Sequence, residues 1–314
     1  MNKAQHPCGV LFLDKPQGWT SRKAVNHVMR VLATSGQNNR KQRLKAGHAG
    51  TLDPLATGML PILLGDATRF SGLGLNAEKS YEVSFDLSFQ TDTLDSEGKV
   101  VEKFDNIQVS QAQLEDALTL FEGSIQQMPP AYSAIRVDGQ RAYALARQGE
   151  KVHLQARTVE IRHIKLLNFE GHMVTLAVDC SKGTYIRALA RDIGLALGVG
   201  GCVTALRRIS SGGWPAEMMV SLAELEEKKE ACILPLQIWL RDLPQVRLSQ
   251  DEARRFVLGQ RLRWECGMDD KVLCCVNFDD MVLGTAWFQP SIRVLQPERV
   301  LPTAQEKMAW IAKV

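Results

Sequence analysis

Gly47-His48-Ala49-Gly50-Thr51-Leu52-Asp53-Pro54-Leu55-Ala56-Thr57-Gly58 sets one histidine and one carboxylate in a stretch with four Gly or Pro residues and no other charge. It follows closely on the basic run Arg40, Lys41, Arg43 and Lys45. Two readings compete. Asp53 before Pro54 is one way a helix begins, with the carboxylate as N-cap and proline at the first helical position. Gly47, Gly50 and Gly58 favour the other reading, because glycine adopts backbone shapes that other residues resist and lets a bulky ligand approach closely. A helix cap requires neither. A lone carboxylate on a stiffened loop beside cationic residues suits chemistry on a polyanion.

The rest of the chain bounds what that chemistry is. With 314 residues, one large domain plus a small one is the natural expectation, and 45% hydrophobic content supports a sizeable core. The net charge of +3 is too modest to mark a nucleic-acid binder, so the distribution of charge has to carry that argument. Seven scattered cysteines form neither a C-x-x-C pair nor a cluster at metal spacing, and they read as reduced packing thiols of a cytoplasmic protein. The polar start, Met1 to Pro7, runs into an apolar stretch too short for a signal peptide or membrane span. No G-x-G-x-x-G or G-x-x-x-x-G-K-[ST] pattern is present, so no nucleotide cofactor and no metal are expected.

Val10 to Leu13 reads as a short buried strand, and Thr20 or Ser21 offers an N-cap for a helix with Ala24, Val25, Val28, Met29 and Leu32 on one face. Tyr81 to Leu87 alternates polar and apolar residues as a half-buried strand. Ser110 caps a further helix that Gly123 stops. Val174, Leu176, Val178 and Cys180 make another strand, which leads into a helix with Ile186, Leu189, Ala190, Ile193 and Leu197 inward. Tyr185 and Arg187 flank Ile186; such neighbours ordinarily face solvent, although at a strand-to-helix junction they can line a cleft. Beyond Leu243-Pro244 short strands are expected at Arg261–Trp264, Val272–Val276, Gly284–Phe288 and Ile292–Leu295, a pattern that suggests a small β barrel.

The Asp53 segment resembles the catalytic motif of the TruB family of tRNA pseudouridine-55 synthases, G-H-T-G-T-L-D-P-L-A-T-G, from which it departs only at Ala49. Other family segments recur in order: Leu13-Asp14-Lys15-Pro16, Thr91-Asp92-Thr93, Pro129-Pro130-Ala131-Tyr132-Ser133-Ala134 and Lys182-Gly183-Thr184-Tyr185-Ile186-Arg187. Gln90 stands where relatives commonly have arginine, which removes a cation near the site. The resemblance implies an α+β fold: a mixed, largely antiparallel sheet with flanking helices and a central RNA-binding cleft in residues 1–245, and a PUA-like β barrel in residues 246–314. It also implies an RNA-gripping insertion at about 128–156, where Arg136, Arg141, Arg147 and Tyr132 offer cations for phosphates and a ring for bases.

Conversion of uridine to pseudouridine breaks the bond from ribose C1′ to N1 and rejoins the base through C5. Its transition state resembles an oxocarbenium ion, which a carboxylate held against C1′ stabilises. On the resemblance Asp53 is that carboxylate, either forming an ester with the ribose or removing the C2′ proton to give a glycal, with Arg187 as its partner. Tyr81 is expected to stack on the uracil and to offer its hydroxyl for proton transfer from C5. Tyr185 and Leu206 are expected to contact the flipped nucleotide, His48 to prop the opened site, Gly47 to take part in substrate binding, and Lys15 with Pro16 to support the loop from beneath. The expected partner is the T stem-loop of tRNA, met by a monomer. The alternative is a non-catalytic protein that opens and refolds tRNA on the same scaffold.

Overall fold

Val10-Leu11-Phe12-Leu13 leaves no polar side chain to face water, and each of the four is fully buried in β1 (Gly9–Lys15). The period of two explains how: Leu11 and Leu13 enter one core, whereas Val10 and Phe12 enter a second core on the opposite face. The computed structural model describes residues 7–33, 44–133, 135–137, 139–142, 145, 148, 154–265 and 270–311.

In chain order the strands of the first part are β1, β2 (Ala46–His48), β3 (Thr57–Leu64), β4 (Lys79–Asp86), β5 (Phe89–Thr91), β6 (Val100–Lys103), β7 (Gly123–Gln127), β8 (Arg136–Val137), β9 (Gln140–Arg141), β10 (Arg157–Glu170), β11 (Met173–Cys180), β12 (Cys202–Ser211) and β13 (Leu234–Pro235). Nine of them form one sheet in the order β13-β1-β3-β12-β4-β11-β10-β7, with β2 on β3; β5-β6 and β8-β9 are separate hairpins. All pairings in the large sheet are antiparallel except β12 with β3, so the architecture is α+β with a mixed, largely antiparallel sheet.

Helix α1 (Ser21–Val31) covers one face, with Ala24, Val25 and Val28 inward. Its N-cap is Thr20, whose hydroxyl accepts from the Lys23 amide; Ser21 is buried and serves another purpose described below. Helix α2 (Gln111–Thr119) starts in a reciprocal capping box between Ser110 and Gln113, and helix α3 (Ile186–Ala196) follows β11.

The C-terminal part holds a five-stranded sheet in the order β14 (Gln245–Arg247), β16 (Val272–Phe278), β17 (Met281–Gln289), β18 (Val294–Val300), β15 (Leu262–Arg263). Two of the expected strands are corrected here. Pro290 starts a short turn and Arg293 sits at a left-handed φ of 51°, so β18 begins only at Val294; the expected Arg261–Trp264 strand shrinks to Leu262–Arg263. Two helices, Gln250–Val257 and Pro302–Ile311, complete this part. Its core is continuous with the outer face of the large sheet, because Val10, Phe12 and Met59 pack with Phe256, Phe288 and Leu295. Phe12 sits against Trp214, ring centroids 5.0 Å apart, and Trp239 donates its indole N–H to the Phe70 carbonyl.

Candidate active site

Asp53 heads no helix. The Ala56 amide donates back to the Asp53 carbonyl at 3.1 Å, closing a single turn, and β3 starts at Thr57. Three neighbours hold this turn in place. The Ser21 hydroxyl accepts from the Leu52 amide at 2.8 Å and donates to the Leu52 carbonyl at 3.0 Å. Gly18 donates its amide to the Pro54 carbonyl at 2.8 Å. Lys15, wholly buried, donates its ammonium to the carbonyls of Trp19, Pro16 and Pro54. Burial lowers the Lys15 pKa to about 8 against the opposing pull of Asp53 and Glu97. Gly58 has a left-handed φ of 93°, and a Cβ there would lie 2.3 Å from the Arg208 carbonyl.

Arg187, in the first turn of α3, is buried with 5% of its surface exposed. Its Nη2 meets Asp53 Oδ2 at 2.8 Å and donates to the Tyr132 carbonyl at 3.1 Å. Its Nη1 donates to the Thr93 carbonyl at 2.7 Å and lies 3.3 Å from Asp95 Oδ2. The ion pair is asymmetric: the guanidinium is enclosed, while the Asp53 side chain is 37% exposed. The planar fork of arginine makes such multiple contact feasible where a single ammonium would not.

Sequence reasoning passed over Asp95, a buried carboxylate on the same guanidinium. The Thr93 hydroxyl donates to Asp95 Oδ1 at 2.6 Å, the Glu97 amide donates to the same oxygen at 3.2 Å, and the Thr91 hydroxyl donates to the Asp95 carbonyl. Thr91-Asp92-Thr93 is therefore the clasp that seats Asp95, and two hydroxyls just ahead of a carboxylate were the signal for it.

Tyr81 lies on β4 and is 9% exposed, in register with Val178 on β11 and Arg208 on β12. Burial raises its pKa, with the positive charge of Arg208 pulling the other way. Leu206 on β12 is buried and joins Tyr81, Leu52 and Leu55 in one apolar cluster. Tyr185 caps α3, its backbone clasped by the Gln127 side chain, which accepts from the Tyr185 amide at 2.8 Å and donates to its carbonyl at 3.1 Å. Burial raises its pKa, opposed by the Arg157 guanidinium 5.7 Å from its ring centroid. One end of the large sheet thus gathers a rim carboxylate, a buried guanidinium and two tyrosines, a set suited to charge development on a sugar carbon.

A model of the TruB family pseudouridylate synthase N-terminal domain matches residues 38–186, and a model of the tRNA pseudouridylate synthase B C-terminal domain matches residues 187–241. A Ralstonia pickettii protein named tRNA pseudouridine synthase B is 41% identical over 310 residues, 93% of this chain and 94% of its own. The chain belongs to the TruB family. A Chromohalobacter salexigens protein of the same name is 42% identical over 257 residues, 81% of each chain. Among solved structures, a Cbf5-Nop10-Gar1 complex is similar at a TM-score of 0.71 and 26% identity, covering 94% of this chain and 85% of that one. An H/ACA RNP bound to a substrate RNA containing 2′-deoxyuridine is similar at a TM-score of 0.70 and 25% identity, with the same coverage.

Other residues that the TruB resemblance marked lie on several different elements. Gly47 and His48 are on β2, paired with Leu63 and Ile62 of β3. Burial lowers the His48 pKa, and the positive charges of Arg208 and Arg22 add to that effect. Tyr132 reaches the site through its carbonyl on Arg187. Arg136 and Arg141 are backbone partners across the β8-β9 hairpin, and Arg147 lies outside the described residues, as does most of the basic run before the Asp53 loop. Gln90 is in β5, opposite Glu102. Among the described residues no group of three or more His, Cys, Asp and Glu is placed to hold a metal ion, and no helix is long and apolar enough to cross a membrane.

Proposed function

We infer that this chain isomerises uridine to pseudouridine in tRNA, at position 55 of the T loop, with Asp53 working on the ribose carbon. The observation that carries the reading is the Arg187–Asp53 contact at 2.8 Å, in which an enclosed cation pairs with a rim carboxylate and aims it.

A uridine inside a folded T loop must first leave its stack, at a cost of a few kcal/mol. Leu206 and Tyr185 offer apolar and aromatic surface in place of the lost stacking, and His48, kept neutral by its surroundings, props the opening. As the C1′–N1 bond breaks, its electron pair leaves with the base and positive charge grows on C1′ and the ring oxygen. Asp53 meets that charge, by bonding to C1′ as an ester or by taking the C2′ proton to leave a glycal. The base turns against the Tyr81 ring and C5 bonds to C1′, displacing the Asp53 carboxylate on the ester route or with Asp53 returning the proton to C2′ on the glycal route. The C5 proton then leaves and N1 gains one, so product and substrate have the same atoms and the net reaction takes up no oxidant, reductant or co-substrate. Lys15 and Pro16 support the loop from beneath, and Gly47 lies on the substrate side beside His48.

The segment around 128–156, with Arg136, Arg141, Arg147 and Tyr132, grips the RNA, and residues 246–314 act as a PUA-like RNA-binding domain. The enzyme works as a cytoplasmic monomer without a cofactor. A non-catalytic tRNA-opening protein on this scaffold would have no use for the Asp53–Arg187 pair. Purified protein incubated with unmodified tRNA in EDTA is expected to leave pseudouridine at that one T-loop position. Modification elsewhere in the tRNA would refute the assigned target, and no modification would favour the non-catalytic alternative.

A further inference from the structure

Arg208 is the largest fully buried side chain among the described residues, with 1% of its surface exposed. Its Nε donates to the Met59 carbonyl at 2.6 Å, and its two terminal nitrogens donate to the carbonyls of Gly50 at 3.3 Å and Thr51 at 3.4 Å. Among the described residues no carboxylate lies within ion-pair distance of it. Its positive charge adds to burial in lowering the pKa values of Lys15, Lys79 and His48, so other basic groups lie within its field. A buried cation without a counter-charge is costly, and three carbonyl hydrogen bonds offset that cost only in part. Packing alone therefore does not account for arginine at this place.

Position 208 is fixed on both sides. It pairs with Gly58 of β3 and with Tyr81 of β4, so its backbone joins the strand leaving the Asp53 turn to the strand carrying the phenol. We propose that Arg208 is a positioning residue that acts through Tyr81, compensating negative charge on the phenol oxygen while the C5 proton is moved.

This rests on the reading of the site given above, and it deepens one step. Once C1′ has joined C5, that carbon holds the new bond and its original hydrogen, and N1 is doubly bonded to C6. Release of the C5 proton re-forms C5=C6 and moves the N1=C6 π pair onto N1. The Tyr81 oxygen accepts the C5 proton and passes its own phenolic proton to N1, so the tyrosine ends as it began. When N1 is protonated first, the phenol oxygen carries negative charge in a buried site, and Arg208, directly opposite Tyr81 in the β12–β4 pairing, is the buried cation on the neighbouring strand. Between turnovers that charge is absent, so the cation stands ready for a partner formed only during the reaction.

The test compares Arg208→Lys, Arg208→Met, Tyr81→Phe and the Tyr81→Phe/Arg208→Lys double variant in single-turnover reactions. Each reaction uses tRNA carrying uridine with hydrogen or deuterium at C5. Arg208→Met is expected to bind tRNA like the parent yet react ~100-fold more slowly, the scale of a lost proton-transfer aid, with a larger C5 isotope effect. Arg208→Lys should recover about half of that loss on a logarithmic scale, staying ~10-fold below the parent. In the Tyr81→Phe background the lysine substitution should add less than about twofold, because residues acting as one unit are non-additive. That cycle stands even if Arg208→Met fails to fold. Additive losses, or a slow Arg208→Met with an unchanged isotope effect, would overturn the inference while leaving Asp53 in place. Turnover by Asp53→Asn would instead overturn the reading beneath it.

Discussion

Ser21→Ala removes one oxygen and, on this structure, loosens the catalytic turn from a distance. The Ser21 hydroxyl both accepts from the Leu52 amide and donates to the Leu52 carbonyl, at 2.8 and 3.0 Å, and Leu52 is buried next to Asp53 in the chain. Deleting it strands a buried N–H and a buried C=O, each worth ~1–3 kcal/mol when left unsatisfied; with partial relief by water the variant should lose about 2–4 kcal/mol of stability. Asp53 would then drift, and a displacement of ~1 Å in a catalytic group costs on the order of 100-fold in rate. Thr20→Ala is the control. It removes the N-cap bond to Lys23 at a cost of about 1 kcal/mol but leaves the Leu52 tether intact. Thermal melts and single-turnover tritium release from [5-³H]uridine tRNA should show both variants destabilised and only Ser21→Ala slowed by more than tenfold. Equal slowing of the two, or no slowing of Ser21→Ala, would refute the claim that the tether positions the carboxylate.

Arg187→Lys keeps the charge but not the fork that spans Asp53, Asp95, Thr93 and Tyr132; turnover should fall by ~10²–10³ with tRNA affinity within about threefold by filter binding. Gly58→Ala should cost ~2–4 kcal/mol in a denaturant melt, because the added carbon meets the Arg208 carbonyl on a left-handed backbone, whereas Gly47→Ala, whose Cβ would meet nothing within 4 Å, should be near neutral in the same melt. His48 should titrate by NMR below its ordinary 6.5. With the folded pKa depressed, the unfolded chain binds the extra proton first, so this histidine's contribution to stability is present above about pH 6.5 and is lost as pH falls toward the folded value. His48→Asn should flatten that dependence.

Much of this arrangement was legible from residue patterns. The four-residue apolar run of β1 required burial on both faces, and two cores now flank it. Three closely spaced glycines argued for a turn around Asp53, and a turn is what forms. Arg187 shows where local reasoning stops: a residue beside an inward isoleucine ordinarily faces water, yet the junction tilts it between two carboxylates that come from distant turns. Asp95 and Arg208 were invisible for the same reason, since their partners arrive from segments far along the chain. The C-terminal helices were missed for a different one. Ser249-x-x-Glu252 is a capping box that short alternating runs nearby obscured, and the helix it opens, Gln250–Val257, spans only eight residues.

The measurement that bears most directly on the whole account is single-turnover tritium release from C5-labelled tRNA by Asp53→Asn, run beside the parent protein with tRNA binding measured on both. The substitution keeps the size of the side chain and removes its charge, so binding should persist within a few fold while release falls to background. Release at a rate near that of the parent would mean that the carboxylate held 2.8 Å from Arg187 is not the group that works on the ribose.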